Sequence, residues 1–317
     1  MAKRHTLGTS GPEVAAICLG GNVFGWSADE ATSFEVLDAF VAAGGDFIDS
    51  ADVYSAWVPG NSGGESEEIL GKWLSQGGNR DRVVVATKVG WEADGHPSGL
   101  GRDQIRTGIE ASLRRLQADK IDLYFAHKDD PSTPLEETVR AFDELVQEGL
   151  VGVLGASNYG AERLLEALMI SEREGLAKFE VLQPQYSLME RGSYEGPLQE
   201  AAVAAGMGVT PYFALARGFL TGKYRPGEPV PDSVRAPGVA GQYLNERGFR
   251  VLATLDEVAA DQSATLAQVA LAWLNARPGV IAPIASATSV GHVEDLVGAL
   301  SIELTHDQVA ALERASA

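Results

Sequence analysis

Short apolar runs recur along the chain at 17–20, 46–49, 83–87, 121–126, 151–156, 181–185, 208–212 and 280–284. Nearly continuous runs of this kind belong to strands buried on both faces of a parallel sheet. Between them, apolar residues recur at helical spacing over 30–43, 64–76, 103–117, 135–148, 161–174, 196–205 and 290–299. Ser62-x-x-Glu65 and Thr133-Pro134-x-Glu136 predict helix starts, and Gly44, Gly149 and Gly175 predict helix stops. Ahead of the alternation, two short apolar segments flank Thr9-Ser10-Gly11-Pro12 and predict a β-hairpin between Arg4 and Ala16.

Eight strands alternating with helices predict an α/β fold, a (β/α)8 TIM barrel whose bottom the N-terminal hairpin caps. The competing fold is an open doubly wound sheet. Against it, residues 19–25 lack the G-x-G-x-x-G spacing of a dinucleotide fingerprint after the first strand. The unit after the seventh strand is swollen. Thr221 to Asn245 is rich in Gly and Pro, and a helical pair follows at about 245–259 and 266–276. A loop that long in a compact barrel reads as a lid or cofactor clamp, or else as a disordered insertion. Residues 1–317 are expected to form one domain.

Composition narrows the function classes. Of the 317 residues, 45% are hydrophobic and 22% charged, which is ordinary for a soluble globular chain. The start, MAKRHTLG, lacks a signal peptide's apolar core and no run is long enough to span a bilayer, so a cytoplasmic protein is expected. Cys18 stands alone, which agrees with a reducing compartment. A formal charge of −19 argues against nucleic acid or an anionic membrane as partner. His5, His96, His292 and His306 are scattered without metal-ligand spacing, so no metal is expected. No apolar stripe identifies an oligomer interface.

In a barrel every strand's carboxyl end faces the same side, and that side carries the chemistry. The second strand, within Phe47-Ile48-Asp49-Ser50-Ala51-Asp52-Val53-Tyr54, brings Asp49 and then Tyr54 there. The third ends at Lys88, the fourth at His127, the fifth at Ser157-Asn158, the sixth at Gln183 and the seventh at Tyr212. Each residue taken alone has a structural reading; an acid, a phenol, an ammonium and an imidazole on successive strand tips point to one site. The chemistry they suit is proton donation to a carbonyl oxygen. A free phenol, with pKa near ~10, is a weak acid at neutral pH. Lys88 beside it is expected to lower that value, with Asp49 holding Lys88 and His127 bonding the substrate oxygen. The set contains no nucleophile, so hydride from a nicotinamide is the natural complement.

These segments resemble the aldo-keto reductase superfamily. The resemblance spans nearly the whole chain: the Arg4 to Gly11 start, FIDSADVY, Ala86-Thr87-Lys88, Tyr124-x-x-His127, Gly155-Ala156-Ser157-Asn158, Gln183-x-Gln-Tyr-Ser and Gly218-x-Leu-Thr-Gly-Lys223. It is nearest the bacterial branch that includes potassium-channel β-subunit-like and general-stress reductases. The resemblance implies Tyr54 as general acid in a tetrad with Asp49, Lys88 and His127. It implies that Ser157, Asn158 and Gln183 bond the nicotinamide carboxamide and that Tyr212 stacks on its ring. Leu215, Ala216, Arg217 and Gly218 would follow the pyrophosphate, with Lys223 and Arg235 meeting phosphate or adenosine. Ser286 to Ser289, with Thr288, would receive the adenosine 2′-phosphate.

Here the chain departs from the family pattern. His292 replaces the usual Gln, and Asp295-Leu296 replaces a Glu-Asn pair. NADPH is expected, with NADH as the alternative. Trp26, Trp57 and Trp91 follow the first three strands and would wall the pocket mouth, with Lys128 after His127. A sugar, a polyol or an aromatic carbonyl would fit such a mouth. The expected activity is NADP-dependent interconversion of an aldehyde or ketone and its alcohol. The alternative is a nicotinamide-binding regulatory or partner protein with vestigial turnover.

Overall fold

The computed structural model describes residues 3–9, 11–93 and 99–317; Ser10 of the hairpin turn and His96 lie outside them. The chain opens with the antiparallel hairpin β1 (Arg4–Thr6) and β2 (Glu13–Ala15). The parallel strands follow as β3 (Cys18–Gly20), β4 (Phe47–Asp49), β5 (Val84–Val89), β6 (Ile121–Ala126), β7 (Val151–Ser157), β8 (Phe179–Gln183), β9 (Gly208–Val209) and β10 (Ile284–Ala285). Their order is β10-β3-β4-β5-β6-β7-β8-β9, all parallel. A parallel bridge from Val209 to Val280 and a bond from Ile284 N to Pro211 O (2.8 Å) join the two ends of that order. The expected (β/α)8 barrel is therefore present.

The helices are α1 (Glu30–Ala42), α2 (Glu65–Leu74), α3 (Arg102–Leu116), α4 (Leu135–Gln147), α5 (Ala161–Glu174), α6 (Pro197–Ala204), α7 (Ala236–Tyr243), α8 (Glu246–Gln262), α9 (Leu266–Asn275), α10 (Val290–Gly298) and α11 (His306–Ser316). Alternation of side chains along each strand sends one set inward and the other toward this helix layer. The inward set, including Phe47, Ala86, Leu123, Phe125, Val153 and Val181, packs as its own core together with Leu7 and Val14 of the hairpin segment. Phe47 and Val153 lie in the amino-terminal halves of their strands, so the hairpin plugs the bottom of the barrel as expected. The outward set packs with the helices in a second, larger core.

Local chemistry moved two helix starts, that of α2 by two residues and that of α4 by one. Glu65 turns its carboxylate back onto the amides of Ser62 and Gly63, so the segment makes a turn and α2 begins at Glu65 behind Gly64. Pro134 is the cap and not the first helical residue of α4. The stops at Gly149 and Gly175 follow expectation, with left-handed φ of 76° and 68° that favour glycine. Gly71 of α2 carries a tertiary requirement: a Cβ there would collide with the backbone of Arg115 and Leu116, so α2 and α3 touch closely at this point. The swollen unit after β9 is ordered into a turn of 3-10 helix (Ala216–Thr221), α7, α8 and α9. The sequence pattern had indicated α8 and α9; α7 and the terminal α11 are additional. Among the described residues no helix is long and apolar enough to cross a membrane.

Candidate active site

The β4 backbone keeps pairing with β5 beyond its last residue. Ser50 N donates to Ala86 O (2.8 Å) and Asp52 N to Lys88 O (3.3 Å). This extension carries Asp49 and Lys88 inward side by side at the carboxyl end of the barrel. Lys88 is fully buried, and its ammonium meets Asp49 Oδ2 (2.6 Å), Ser50 O (2.6 Å) and Tyr54 Oη (2.9 Å). Its three protons are thereby matched to three oxygens. Asp49 Oδ1 accepts from Gln183 Nε2 (2.9 Å), and Tyr54 Oη donates to Asp49 Oδ2 (3.2 Å). Behind Tyr54 the chain turns through Ser55 at φ 71°, anchored by a bond from Ser55 Oγ to Phe24 O (2.7 Å). A non-glycine residue in that region is a strained position of the kind that holds a functional loop in place.

The electrostatics differ from the expectation that Lys88 lowers the phenol's pKa. Burial, and then the Asp49 carboxylate, push Tyr54 well above the ordinary phenol value. Water is excluded around the phenol, and Asp49, which holds Lys88 at contact distance, also accepts the phenol's proton. Burial likewise pulls Lys88 below the ordinary lysine value, although Asp49 opposes it. His127 follows β6 directly, its ring 5.0 Å from that of Trp91 and 6.1 Å from that of Tyr54. Burial and the Lys88 charge hold it well below the ordinary histidine value, so the imidazole is neutral.

A cavity of about 920 Å³ opens over this cluster and runs toward the segment after β9. Asp49, Tyr54, His127, Ser157, Asn158 and Gln183 line its floor. Lys88 lies beneath, reaching the cavity through Tyr54. Tyr212 Oη donates to Asn158 Oδ1 (2.8 Å), while Asn158 Nδ2 donates to His127 O (2.9 Å) and Ser157 Oγ (3.0 Å). These bonds fix the Asn158 amide and lay the Tyr212 ring along the wall.

Beyond Tyr212 the backbone turns left-handed at Phe213, Ala216, Arg217 and Gly218. Leu215, Arg217, Gly218, Lys223 and Arg235 line the cavity here, whereas the Ala216 side chain is buried in the core. Arg217 stacks 4.3 Å over Phe213, and Arg235 lies 5.6 Å over Trp26. Arg217 Nε and Arg235 Nη2 are buried without a hydrogen-bond partner. Burial and the neighbouring cations lower the pKa values of Arg235 and Lys223. Three cations, two of them (Arg217 and Arg235) with a buried unpartnered donor, fit an anionic, phosphate-bearing group.

At the far end, Ser286, Thr288, His292 and Asp295 all line the cavity. Their polar atoms partly satisfy one another: Ser286 Oγ bonds Asn22 Oδ1 (2.5 Å), Thr288 N donates to His292 Nδ1 (3.3 Å), and Asp295 Oδ1 accepts from Thr265 Oγ1 (3.1 Å). At the mouth, Trp57 and Trp91 line the cavity and are 48% and 38% exposed, which leaves ring surface for a ligand. Trp26 stands behind Trp57, edge-on at 5.6 Å, and Lys128 sits on the rim 5.6 Å over Trp91. The sequence reading missed Asn22, Gln185, Phe213, Thr221 and Ser233, which also line the cavity. Asn22 follows β3 and belongs to the same class of strand-end polar residues; Ser233 lies in a loop with no spacing to mark it. Among the described residues no cluster of His, Cys, Asp and Glu is arranged to hold a metal ion.

Comparison with known proteins agrees with the resemblance. The model of the aldo/keto reductase family matches residues 16–317. A probable voltage-gated potassium channel subunit beta of Oryza sativa subsp. japonica is 34% identical, over 93% of this chain and 90% of its own. An uncharacterized oxidoreductase of Bacillus subtilis, YrpG, is 35% identical over 94% and 91%. Norsolorinic acid reductase B of Aspergillus parasiticus is 32% identical over 95% and 81%.

Proposed function

Since the chain belongs to the aldo/keto reductase family, we propose that it is a nicotinamide-dependent oxidoreductase that interconverts an aldehyde or ketone and its alcohol. The observation that carries this reading is the Tyr54–Lys88–Asp49 cluster, with contacts of 2.6 to 3.2 Å, facing the cavity. A bound nicotinamide supplies or accepts the hydride. Tyr54 gives its proton to the carbonyl oxygen and takes it back in the reverse direction. Lys88 stabilises the phenolate so formed, Asp49 holds Lys88, and neutral His127 orients the carbonyl oxygen by donating a ring N–H.

Ser157, Asn158, Gln183 and Tyr212 are the residues we assign to the nicotinamide end. Arg217, Lys223 and Arg235 would meet phosphate, and Ser286, Thr288, His292 and Asp295 the adenosine end. NADPH is the cofactor proposed on the strength of those cations; Asp295 and Leu296 leave NADH as the competitor. For the substrate, the exposed Trp57 and Trp91 faces favour an aromatic carbonyl over a sugar or polyol, and a reductase of norsolorinic acid is among the relatives. Fluorescence titration with NADPH and NADH tests the cofactor. Reduction of 4-nitrobenzaldehyde by wild type and Tyr54→Phe tests the mechanism, which an unchanged rate in the variant overturns.

The names of two plant relatives, both probable potassium channel β-subunits, favour a second reading. In it the chain binds nicotinamide as a partner protein and turns over slowly. Tight cofactor binding without turnover of any carbonyl in a broad panel would select it.

A further inference from the structure

On the other side of the β4–β5 seam lies a second set of buried ionisable side chains that the proposed reaction does not use. Glu67 of α2 is fully buried; its Oε1 accepts from Thr87 Oγ1 (2.5 Å) and its Oε2 from Arg115 Nε (2.7 Å) of α3. Thr87 is the residue immediately before Lys88. Asp52 is 7% exposed, and its Oδ1 has no hydrogen-bond partner. The Tyr124 hydroxyl, on β6, is also buried without a partner. This pocket thus holds two carboxyl groups and one arginine, and the arginine is taken by Glu67.

We propose that Asp52 is a positioning residue for Tyr54, neutral in the working protein, and that its ionisation disturbs the Tyr54–Lys88 pair from behind. The inference rests on the function proposed above. Its geometric basis is the place of Asp52 in the chain: it stands midway between Asp49 and Tyr54, and its amide bonds the carbonyl of Lys88 (3.3 Å). A charge at Asp52 therefore acts on the backbone that carries all three groups. The charged neighbours are Glu67 from α2, Arg115 from α3 and Lys88 from β5, with the Tyr124 phenol from β6. Burial and the Glu67 carboxylate push Asp52 up to about 8, against the opposing pull of Arg115 and Lys88. Once ionised, Asp52 adds a negative charge beside Lys88. That charge holds the Tyr54 proton more tightly and makes Tyr54 a weaker acid for carbonyl reduction.

The test is the pH–rate profile of carbonyl reduction by the full chain, wild type against Asp52→Asn, which mimics the neutral carboxyl. Wild-type turnover falls through a limb near pH 8, the value to which Asp52 is pushed. The variant keeps wild-type turnover at low pH and loses that limb, so it leads by up to about tenfold at the alkaline end, the upper limit that one pKa unit of coupling sets on a general acid. A purely structural role would lower the rate at every pH and leave the limb in place, and that result overturns the proposal. Where Asp52→Asn does not fold, difference infrared spectra of the wild type decide. A buried carboxylic C=O band that disappears with a midpoint near 8 supports neutral Asp52; its absence at neutral pH overturns it. Absence of any carbonyl turnover in wild type refutes the function proposed above, and the infrared midpoint still reads Asp52 by itself.

Discussion

The two faces of the β4–β5 seam use similar materials in different ways. Each buries a carboxylate against a cation: Asp49 and Lys88 at 2.6 Å facing the barrel axis, Glu67 and Arg115 at 2.7 Å facing the helices. On the inner face the cation is a lysine, a point charge whose spare donor reaches the Tyr54 hydroxyl and, through it, the cavity. On the outer face it is an arginine, whose Nε and Nη2 both converge on Glu67 Oε2 and face away from the cavity. The inner pair is thus open to a reactant and the outer pair is closed. Strand alternation alone puts Lys88 on one face and Thr87 on the other; what each side chain meets there decides whether it serves chemistry or structure.

Breaking each face in turn separates the two roles. On the inner face, Tyr54→Phe is expected to lower turnover by about 10²–10⁴-fold, the usual contribution of a positioned general acid, with thermal unfolding little changed. On the outer face, Arg115→Met strands a fully buried Glu67 carboxylate and is expected to destabilise the fold by about 3–5 kcal/mol in denaturant titrations. Turnover per folded molecule stays near wild type. If Arg115→Met were as inactive as Tyr54→Phe while still folded, the division between the faces would fail.

Arg217→Ala removes a cation with an unpartnered buried Nε from the cavity wall. NADPH affinity is expected to fall by the equivalent of about 1.5–3 kcal/mol, the range for a hydrogen bond to a charged group, with kcat at saturating cofactor less affected. The smallest effect concerns His127. Its folded pKa is depressed, so the native state binds fewer protons than the unfolded state below the ordinary histidine value. Stability is accordingly full above about 6.5 and is lost as pH falls below it. The reduction rate shows no inflection there, because the imidazole is neutral throughout; a kinetic limb near that pH that vanishes in His127→Asn would contradict this.

The barrel was legible because parallel strands covered on both faces read as unbroken apolar runs, and these recur with helices between them. The strand-tip residues were legible for a related reason. A polar residue that ends an apolar run, as Lys88 and His127 do, must sit where the strand leaves the core. The ordered path of the segment after β9 was less so. Left-handed backbone at Phe213, Ala216 and Arg217 has no residue signature, since such φ values are usually marked by glycine.

What the amino-acid order determined by itself is therefore the repeat, the hairpin plug and the set of side chains delivered to one end of the barrel. Period and polarity are local properties of the chain, and they suffice for that. Only the tertiary structure decided the sense of the Tyr54 pKa, which depends on burial of the phenol and on its contact with Asp49. It also decided which acid Arg115 answers. Asp52 and Glu67 both lie far from Arg115 in sequence, and the close α2–α3 contact at Gly71 brings the arginine to Glu67 and leaves Asp52 without a cation of its own. Electrostatics inside a protein depend on distance through space and on exclusion of water, and neither quantity is written in the order of residues.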